Sequence, residues 1–173
     1  LSYLVVVILF VILGFIILKG ASVISWDFLT QAPQEGMTSG GIFPAIVGTL
    51  YLVIGSSLIS FPIGIMSGIY MNEYATNGKL IRFIRIMTNN LSGVPSVVFG
   101  LFGMSLFVST LGWGDSIIAG SFTLALMSLP LIIRTTEEAL KSIDDSFRHG
   151  SLALGATKLQ TIRRVVLPMA FPN

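Results

Sequence analysis

The chain reads SLALGA at residues 151–156 and VVLP at residues 165–168, so Val165 lies ten residues after Gly155. Both stretches belong to a segment, residues 134–173, that contains six of the ten basic residues and the only histidine, His149. Three long apolar segments precede it. A polar, helix-forming loop with this glycine-to-Leu-Pro spacing, placed between apolar segments, indicates a docking surface for a soluble partner.

The composition is that of a membrane protein. Only 10% of the residues are charged and 53% are hydrophobic, whereas a soluble domain carries about a quarter charged residues. The net charge of +2 is explained by membrane orientation, and we expect no nucleic-acid partner. Because cysteine is absent, a disulfide framework and a thiolate metal site are excluded. We expect neither a metal nor a cofactor in this chain.

The apolar segments predict four membrane spans. A span needs about 20 apolar residues to cross roughly 30 Å of hydrocarbon. We place the first at residues 1–18, and the others at 44–71, 90–111 and 116–135, with a polar loop at 136–168 after them. The first segment lacks the basic start and the cleavage site of a signal peptide. Since the chain begins without Met and stops shortly after a Leu-Pro pair, we expect a fragment of a longer chain.

The basic residues predict the orientation of these spans. Nine of the ten lie in residues 72–86 and 134–167, and only Lys19 falls on the other side. Lysine and arginine concentrate in cytoplasmic loops, so both ranges are predicted to face the cytoplasm. Trp26 and Trp113 then fall on the outer side, where interfacial indoles are common.

Small residues and prolines recur within the predicted spans. Small residues at intervals of four line one helix face and let two helices approach closely in lipid. Proline frees backbone groups that a neighbour must satisfy, so a polar backbone pathway between broken helices is the second interpretation. The two small-residue ladders are Ser56, Ser60, Gly64 and Gly68, and then Ser92, Ser96 and Gly100; the prolines are Pro62, Pro95 and Pro130.

Local signals predict three short helices outside the spans. Lys79–Met87 alternates apolar and basic residues, which is typical of an amphipathic helix at the inner headgroup surface. Asp144 or Asp145 can cap a helix that ends at the turn of Gly155. Thr157 and Gln160 have capping-box spacing for the next helix, in which Leu159, Ile162, Val165 and Val166 are predicted to share one face and Pro168 to open the following span.

Several segments of the chain resemble the permease subunits of ABC importers for inorganic phosphate, the PstA type more than the PstC type. The loop at 136–168 is similar to the coupling loop of such permeases, because Gly155, Val165, Leu167 and Pro168 match its frame, while His149, Gly150 and Ser151 stand where Glu-Ala-Ala is usual. The other matching segments are SWDFLT at 25–30, GGIFPAIVGT at 40–49, IYMNEY at 69–74, SGVPSVVFGLFG at 92–103 and LIIRTTE at 131–137.

This resemblance implies an all-α, polytopic bundle of the ABC importer permease (MetI-like) type, with four of six spans in this chain. It implies that this chain lies in the plasma or inner membrane. It also implies three kinds of partner: a second, PstC-type permease subunit, a dimer of cytoplasmic ATP-binding subunits that use ATP and Mg²⁺, and an extracytoplasmic phosphate-binding protein. It also implies that the coupling loop contacts the ATP-binding subunit through Arg148, His149, Gly150, Ser151, Leu152, Ala153, Gly155 and Ala156.

The substrate path is predicted from the scarcity of charge in the spans. Phosphate needs positive charge or N–H donors along its route, and Arg134 is the base closest to the inner half of a span. Glu137, one helical turn on, is predicted to hold or gate Arg134. Pro95 and Pro130 mark helix breaks that could expose backbone donors. The alternative is that Arg134 is an interfacial anchor with a helical ion pair.

Other functions remain open at this stage. One is a permease of the same superfamily for sulfate, molybdate or amino acids. An ion-coupled transporter or channel usually has ionisable residues near the bilayer midplane, and the first three predicted spans have none. A membrane enzyme is disfavoured because the sequence has no H-E-x-x-H or G-x-S-x-G motif. The chain is not predicted to be the ATPase itself, because it has no G-x-x-x-x-G-K-[ST] loop.

The predicted orientation can be tested with single cysteines, since the chain has none of its own. In intact cells, an impermeant thiol reagent should label Ser25→Cys and should leave Ser146→Cys unlabelled until the membrane is opened. Labelling of the Ser146 position from outside would contradict the orientation.

Overall fold

The computed structural model describes residues 2–75 and 78–170. The predicted loop at 72–86 therefore includes two residues, 76 and 77, that lie outside the described part. Contacts divide the chain between Tyr51 and Leu52 into two units. Within the described residues, three helices are long and apolar enough to cross a membrane. A pair of helices joined by a sharp bend provides a fourth candidate span if the pair is counted as one.

The first unit contains helix α1 (Ser2–Gly20), the short helix α2 (Trp26–Thr30) and a two-stranded antiparallel sheet. The side chain of Ser25 caps α2 by accepting a hydrogen bond from the Phe28 backbone nitrogen at 3.2 Å. Strands β1 (Pro33–Gln34) and β2 (Ser39–Gly40) pair Pro33 with Gly40 and Gln34 with Ser39. Trp26 is 78% exposed, and its position at the outer membrane interface stays a prediction.

Helix α3 (Phe43–Ile69) begins in the first unit and continues into the second, where a π-helical turn follows it at Tyr70–Tyr74. The second unit also contains α4 (Lys79–Leu91), α5 (Ser96–Gly103) with a π-helical continuation at Met104–Thr110, and α6 (Ile117–Lys141). Three shorter helices end the described chain: α7 (Asp145–Ala153), α8 (Lys158–Thr161) and α9 (Leu167–Ala170), with a π-helical turn, Ile162–Val166, between the last two.

Helices α3 and α6 approach closely along the first small-residue ladder. Its four members, Ser56, Ser60, Gly64 and Gly68, are buried. A Cβ atom at Gly64 would lie 2.6 Å from Ile132 Cγ2 of α6, and one at Gly68 would lie 2.7 Å from Thr136 Cβ. This ladder is a helix-packing face, which is the first of the two interpretations made from the sequence.

The second ladder is divided by a bend, and its prediction as one helix face is wrong. Ser92 follows α4, whereas Ser96 and Gly100 belong to α5. The axes of these helices differ in direction by 101°, because Pro95 lacks an N–H and forces extended backbone on its neighbour. The range predicted as the third span, 90–111, thus holds the last two residues of α4 and the whole of a separate helix, α5 with its π-helical continuation to Thr110.

The other two prolines do not interrupt their helices. Pro62 lies within α3 and Pro130 within α6, and both helices continue through the proline. A proline removes one hydrogen bond of the helix ladder, and neighbours can compensate for it when the helix is packed or embedded in lipid. Helix α6 then runs to Lys141, beyond the bound of 135 predicted for the fourth span.

The core of the second unit lies where the ends of several helices meet. Leu140, Ile143 and Val166 are almost completely buried there, and Ile69 and Leu167 pack against them. This cluster joins the end of α3, the end of α6 and the start of α9, so it fixes the base from which the loop containing α7 projects.

Substitution of Gly68 by Ala should destabilise the packing of α3 on α6. The added Cβ would contact Thr136 and would lie 3.0 Å from the Ile133 carbonyl oxygen, and such overpacking costs about 1–3 kcal/mol. We expect a lower melting temperature for the full-length subunit in detergent. Gly48→Ala is the matched control on the same helix, since no described atom lies within 4 Å of its added Cβ; equal melting temperatures for the two variants would contradict this packing.

Candidate docking surface and charged clusters

The predicted coupling loop, residues 136–168, starts inside α6, which runs to Lys141, and its first separate helix is α7. Asp144 precedes α7, and its Oδ1 accepts a hydrogen bond from the Ser146 backbone nitrogen at 2.8 Å. Hydrogen bonds from the side chain and backbone of Ser146 lower the pKa of the Asp144 carboxyl below its ordinary value. Asp144 is thus confirmed as the cap, and its charge lies at the helix N-terminus, where the helix dipole favours it.

A glycine-dependent turn ends α7. Gly155 has φ of +83°, a backbone conformation that residues with a Cβ rarely adopt. Its nitrogen donates to the Leu152 carbonyl at 3.0 Å, and the Ala156 nitrogen donates to the Ser151 carbonyl at 3.2 Å. These two bonds form the Schellman motif that terminates many helices, so the predicted turn at Gly155 is confirmed.

The second helical piece starts with the predicted capping box. Gln160 donates from its backbone to Thr157 Oγ1 at 3.3 Å, and its side chain accepts from the Thr157 nitrogen at 2.9 Å. Of the residues predicted to share one face, Ile162 and Val166 are buried, whereas Leu159 is 66% exposed. Pro168 was predicted to open the following span; it lies in α9, which continues directly from the π-helical turn and does not start afresh at the proline.

The outer surface of the loop is apolar although the loop is polar in composition. Leu154 is 91% exposed, Leu152 45% and Phe147 48%, and no residue of α7 is buried in the described part of the chain. His149, Gly150, Ala153 and Gly155 are exposed as well, whereas Ser151 and Ala156 are half-buried. Exposed apolar side chains on a charged loop are typical of a protein interaction site.

Leu154 and Leu159 are members of this surface that were not predicted as site residues. The exposure of Leu154 could have been predicted from its position directly before Gly155, the glycine of the turn that ends α7. Helix α8 is attached to α7 by a hydrogen bond between Ser151 Oγ and Thr161 Oγ1 at 3.0 Å. This bond explains why the predicted contact residue Ser151 is half-buried.

Arg148 is turned inward and pairs with a residue far away in the sequence. Its Nη2 lies 2.9 Å from Glu73 Oε1, and the two side chains are only 15% and 7% exposed. Glu73 belongs to the π-helical turn after α3. Arg148 was predicted to contact a partner subunit, and the structure places its guanidinium among residues of this chain.

A cavity of about 620 Å³ lies beside α7, between these charged groups. Lys158, at its edge, has its Nζ 5.0 Å from the centre of the Tyr74 ring, which is within the range of a cation–π contact. Glu73, Arg148, His149 and Leu152 are among the residues that line the cavity.

A second charged cluster lies where α4 meets α6. Glu137 Oε1 lies 2.8 Å from both Arg85 Nη2 and Lys141 Nζ, although neither contact has the alignment of a hydrogen bond among the described residues. Arg134 Nε donates instead to Glu138 Oε1 at 2.9 Å. The predicted pairing of Arg134 with Glu137 is therefore wrong. Arg134 pairs with Glu138, four residues on in the same helix, and Glu137 pairs with Arg85 of α4.

Two of the four substrate-path candidates line one cavity in this cluster. Arg134 and Glu137 border a space of about 190 Å³, together with Arg85, Glu138 and Lys141. Pro130 is buried inside α6, and Pro95 is exposed at the start of α5. The described cavity lining includes neither proline.

Residues 60–173 match the family described as binding-protein-dependent transport system inner membrane component. This range includes α4 to α9, both charged clusters and the whole coupling loop. The chain belongs to this family. It is accordingly a multi-pass protein of the inner membrane with the all-α fold that the sequence predicted.

Similar proteins carry transport names. The chain is 37% identical over 160 residues to the probable ABC transporter permease protein YqgI of Bacillus subtilis, covering 92% of this chain and 54% of that protein. It is 36% identical to the phosphate transport system permease protein PstA 1 of Mycobacterium tuberculosis, covering 86% and 48%. The chain thus spans about half the length of the curated relatives it matches.

The fold is also similar to that of a solved transporter. The likeness is to a chain of the MetNI methionine ABC transporter in inward-facing conformations, with a TM-score of 0.60 and 25% identity, and it covers 76% of this chain and 62% of that one. The MetI-like permease fold expected from the sequence is therefore confirmed.

Substitution of Gly155 by Val should unwind the end of α7. A left-handed backbone costs a residue with a Cβ about 1–2 kcal/mol, and β-branching adds to it. Because no described atom lies within 4 Å of an added Cβ at Gly155, the effect is conformational and not a clash. We expect trypsin to cleave the purified full-length subunit after Lys158 roughly tenfold faster, since cleavage follows the population of the opened loop. Gly155→Asn is the control, because asparagine tolerates this conformation, and it should be cleaved at nearly the rate of the unchanged protein.

Proposed function

We propose that this chain is part of a permease subunit of an ATP-driven ABC importer for inorganic phosphate. The observation that carries the proposal is the exposed apolar surface formed by α7 and its C-cap residue Leu154, which is 91% exposed, in a chain of this permease family. Such a helix can receive force from a soluble subunit. The chain has no nucleotide-binding motif of its own, so the energy comes from ATP hydrolysed by that subunit.

The partners follow from this role. A dimer of cytoplasmic ATP-binding subunits, which bind ATP and Mg²⁺, docks on α7. A second, PstC-type permease subunit completes the transmembrane path, and an extracytoplasmic binding protein delivers phosphate. The ranges 72–86 and 134–167 face the cytoplasm, because they contain nine of the ten basic residues.

Phosphate is favoured over other substrates by the names of the relatives. Proteins named phosphate transport system permease protein PstA, from Mycobacterium tuberculosis and Haemophilus influenzae, are 36% and 34% identical to this chain. The likeness to a methionine transporter is weaker, at 25% identity. The resemblance of the segments at 25–30, 40–49 and 92–103 points in the same direction.

Within the chain, Arg134 is proposed to serve the anion. It borders the cavity of about 190 Å³ with two further cations, Arg85 and Lys141, and with two carboxylates, Glu137 and Glu138. The excess of positive charge suits an oxyanion. The ion pair of Arg134 with Glu138 is exposed, 55% and 61% for the two side chains, so it holds Arg134 only weakly and leaves it available to a ligand.

The proposal is tested by uptake in proteoliposomes. The full-length subunit is co-purified with its permease partner and ATP-binding subunits, and radioactive phosphate is supplied with the binding protein outside and ATP inside. We expect ATP-dependent phosphate uptake that excess sulfate, molybdate or methionine does not inhibit. Uptake of one of these competitors in place of phosphate would overturn the substrate, and ATP-independent uptake would overturn the transporter class.

In the same assay, Arg134→Gln should reduce phosphate uptake per transporter at least about tenfold. The lost charge-assisted hydrogen bond to a desolvated anion corresponds to about 1.5–3 kcal/mol. The ATP-binding subunit should still co-purify, because Arg134 lies on α6 and not on the docking surface. Glu138→Gln is the matched control: it removes the same ion pair but keeps the arginine. A simple interfacial anchor would instead lose protein abundance in Arg134→Gln, with normal uptake per molecule.

A further inference from the structure

All five N–H groups of the Arg148 side chain are occupied by atoms of this chain. An arginine side chain has five such donors. Nε and Nη2 donate to Glu73 Oε1 at 3.2 and 2.9 Å, and Nη2 also donates to the Leu140 carbonyl at 2.8 Å. Nη1 donates to the Ile143 carbonyl at 2.8 Å and to Asp145 Oδ1 at 2.9 Å. Arg148 therefore has no donor left for a partner subunit.

These bonds join three separate parts of the second unit. The carbonyls of Leu140 and Ile143 belong to the end of α6 and the link after it, and Arg148 itself is part of α7. Glu73, 75 residues away in the sequence, belongs to the π-helical turn that follows α3. Arg148 thus ties the exposed docking helix to the ends of both long helices of the unit.

Apart from Arg148, the main contacts of α7 are with the elements that follow it, α8 and the π-helical turn Ile162–Val166. None of its residues is buried in the described part, and Ser151 reaches only the neighbouring helix α8, through Thr161. A helix with an exposed apolar surface and little buried area can tilt on its support. The Arg148–Glu73 contact is a direct route by which movement of α7 reaches the end of α3, because it is directional and desolvated.

We propose that Arg148 and Glu73 are positioning residues that transmit movement of α7 to α3 and α6, and so couple ATP hydrolysis to transport, while neither residue contacts the ATP-binding subunit. The inference rests on the proposed function and assigns different roles to different residues of the loop. The leucines of α7 bind the partner, and the buried ion pair passes the displacement to the membrane helices.

Two variants separate the parts of this linkage. Glu73→Gln keeps the shape of the side chain but removes its charge, so it weakens the bond to α3 and leaves the carbonyl bonds of Arg148 intact. Arg148→Lys replaces five donors in a planar fork by three donors on a single ammonium nitrogen, so the spread of bonds that Arg148 makes is lost. Arg82→Gln, an exposed base on α4, is the control for the loss of one positive charge.

The measurement is the amount of phosphate imported per ATP hydrolysed by the assembled, full-length transporter in proteoliposomes. For Glu73→Gln we expect normal co-purification of the ATP-binding subunit, ATP hydrolysis within about twofold of the unchanged protein, and import per ATP lowered at least about fivefold, since a charge-assisted hydrogen bond biases an equilibrium roughly tenfold or more. Arg148→Lys should lower the ratio further, and Arg82→Gln should not change it. A residue that only stabilises the fold would reduce abundance and leave this ratio unchanged, and that result would overturn the inference.

The exchange of the two charges gives a sharper test. In Glu73→Arg combined with Arg148→Glu, a simple ion pair would be restored, but the new carboxylate would face the carbonyl oxygens of Leu140 and Ile143. We therefore expect import per ATP to stay low, and its recovery would overturn the role of the carbonyl bonds.

A distance measurement checks the linkage independently of the substrate. Spin labels at Met66→Cys on α3 and Ser146→Cys on α7, in a cysteine-free full-length background, should give one narrow distance distribution that broadens in Glu73→Gln. If the unchanged transporter imports no phosphate but the distribution still broadens, the proposed function fails and the linkage stands. An unchanged distribution in Glu73→Gln would refute the linkage itself.

Discussion

The close approach of α3 to α6 is the contact on which the rest of the second unit depends. Lipid surrounds helices with a medium as apolar as their own side chains, so helices associate by fitting their surfaces rather than by escaping water. Gly64 and Gly68 remove the side chains that would keep the two backbones apart. The ends of both helices then lie near each other, and Ile69 can pack against Leu140 and Val166.

The structure confirmed those sequence predictions that depend on a few neighbouring residues. The Asp144 cap, the turn at Gly155 and the capping box of Thr157 and Gln160 are decided within one helical turn. Backbone groups at a helix end have few possible partners, so such a pattern determines its own geometry. The fold class was predictable for a similar reason, since long uncharged segments in this family have few alternatives to membrane helices.

Predictions that depend on distant partners were less successful. Glu137 was assigned to Arg134 by spacing along one helix, but Arg85 of α4 lies beside it in three dimensions. The contact of Glu73 with Arg148 could not be predicted from the sequence, because the two residues are 75 positions apart. The shared face predicted for Leu159, Ile162, Val165 and Val166 did not predict burial, because periodicity gives a face and not what covers it: Leu159 is 66% exposed and Ile162 3%.

The sharp bend before Pro95 has a consequence for the surrounding lipid. The helix that follows it has 8 residues in α5 and 7 in its π-helical continuation, which gives a length of about 22 Å at 1.5 Å per residue. The hydrocarbon layer is roughly 30 Å thick, so this helix is too short to cross it by about a quarter. If this helix crosses the membrane, the bilayer beside α5 must thin, or headgroups and water must descend along it; otherwise it enters and leaves on one side as a re-entrant segment. In the crossing arrangement, the thickness of the host membrane becomes a determinant of how stably this part of the protein is held.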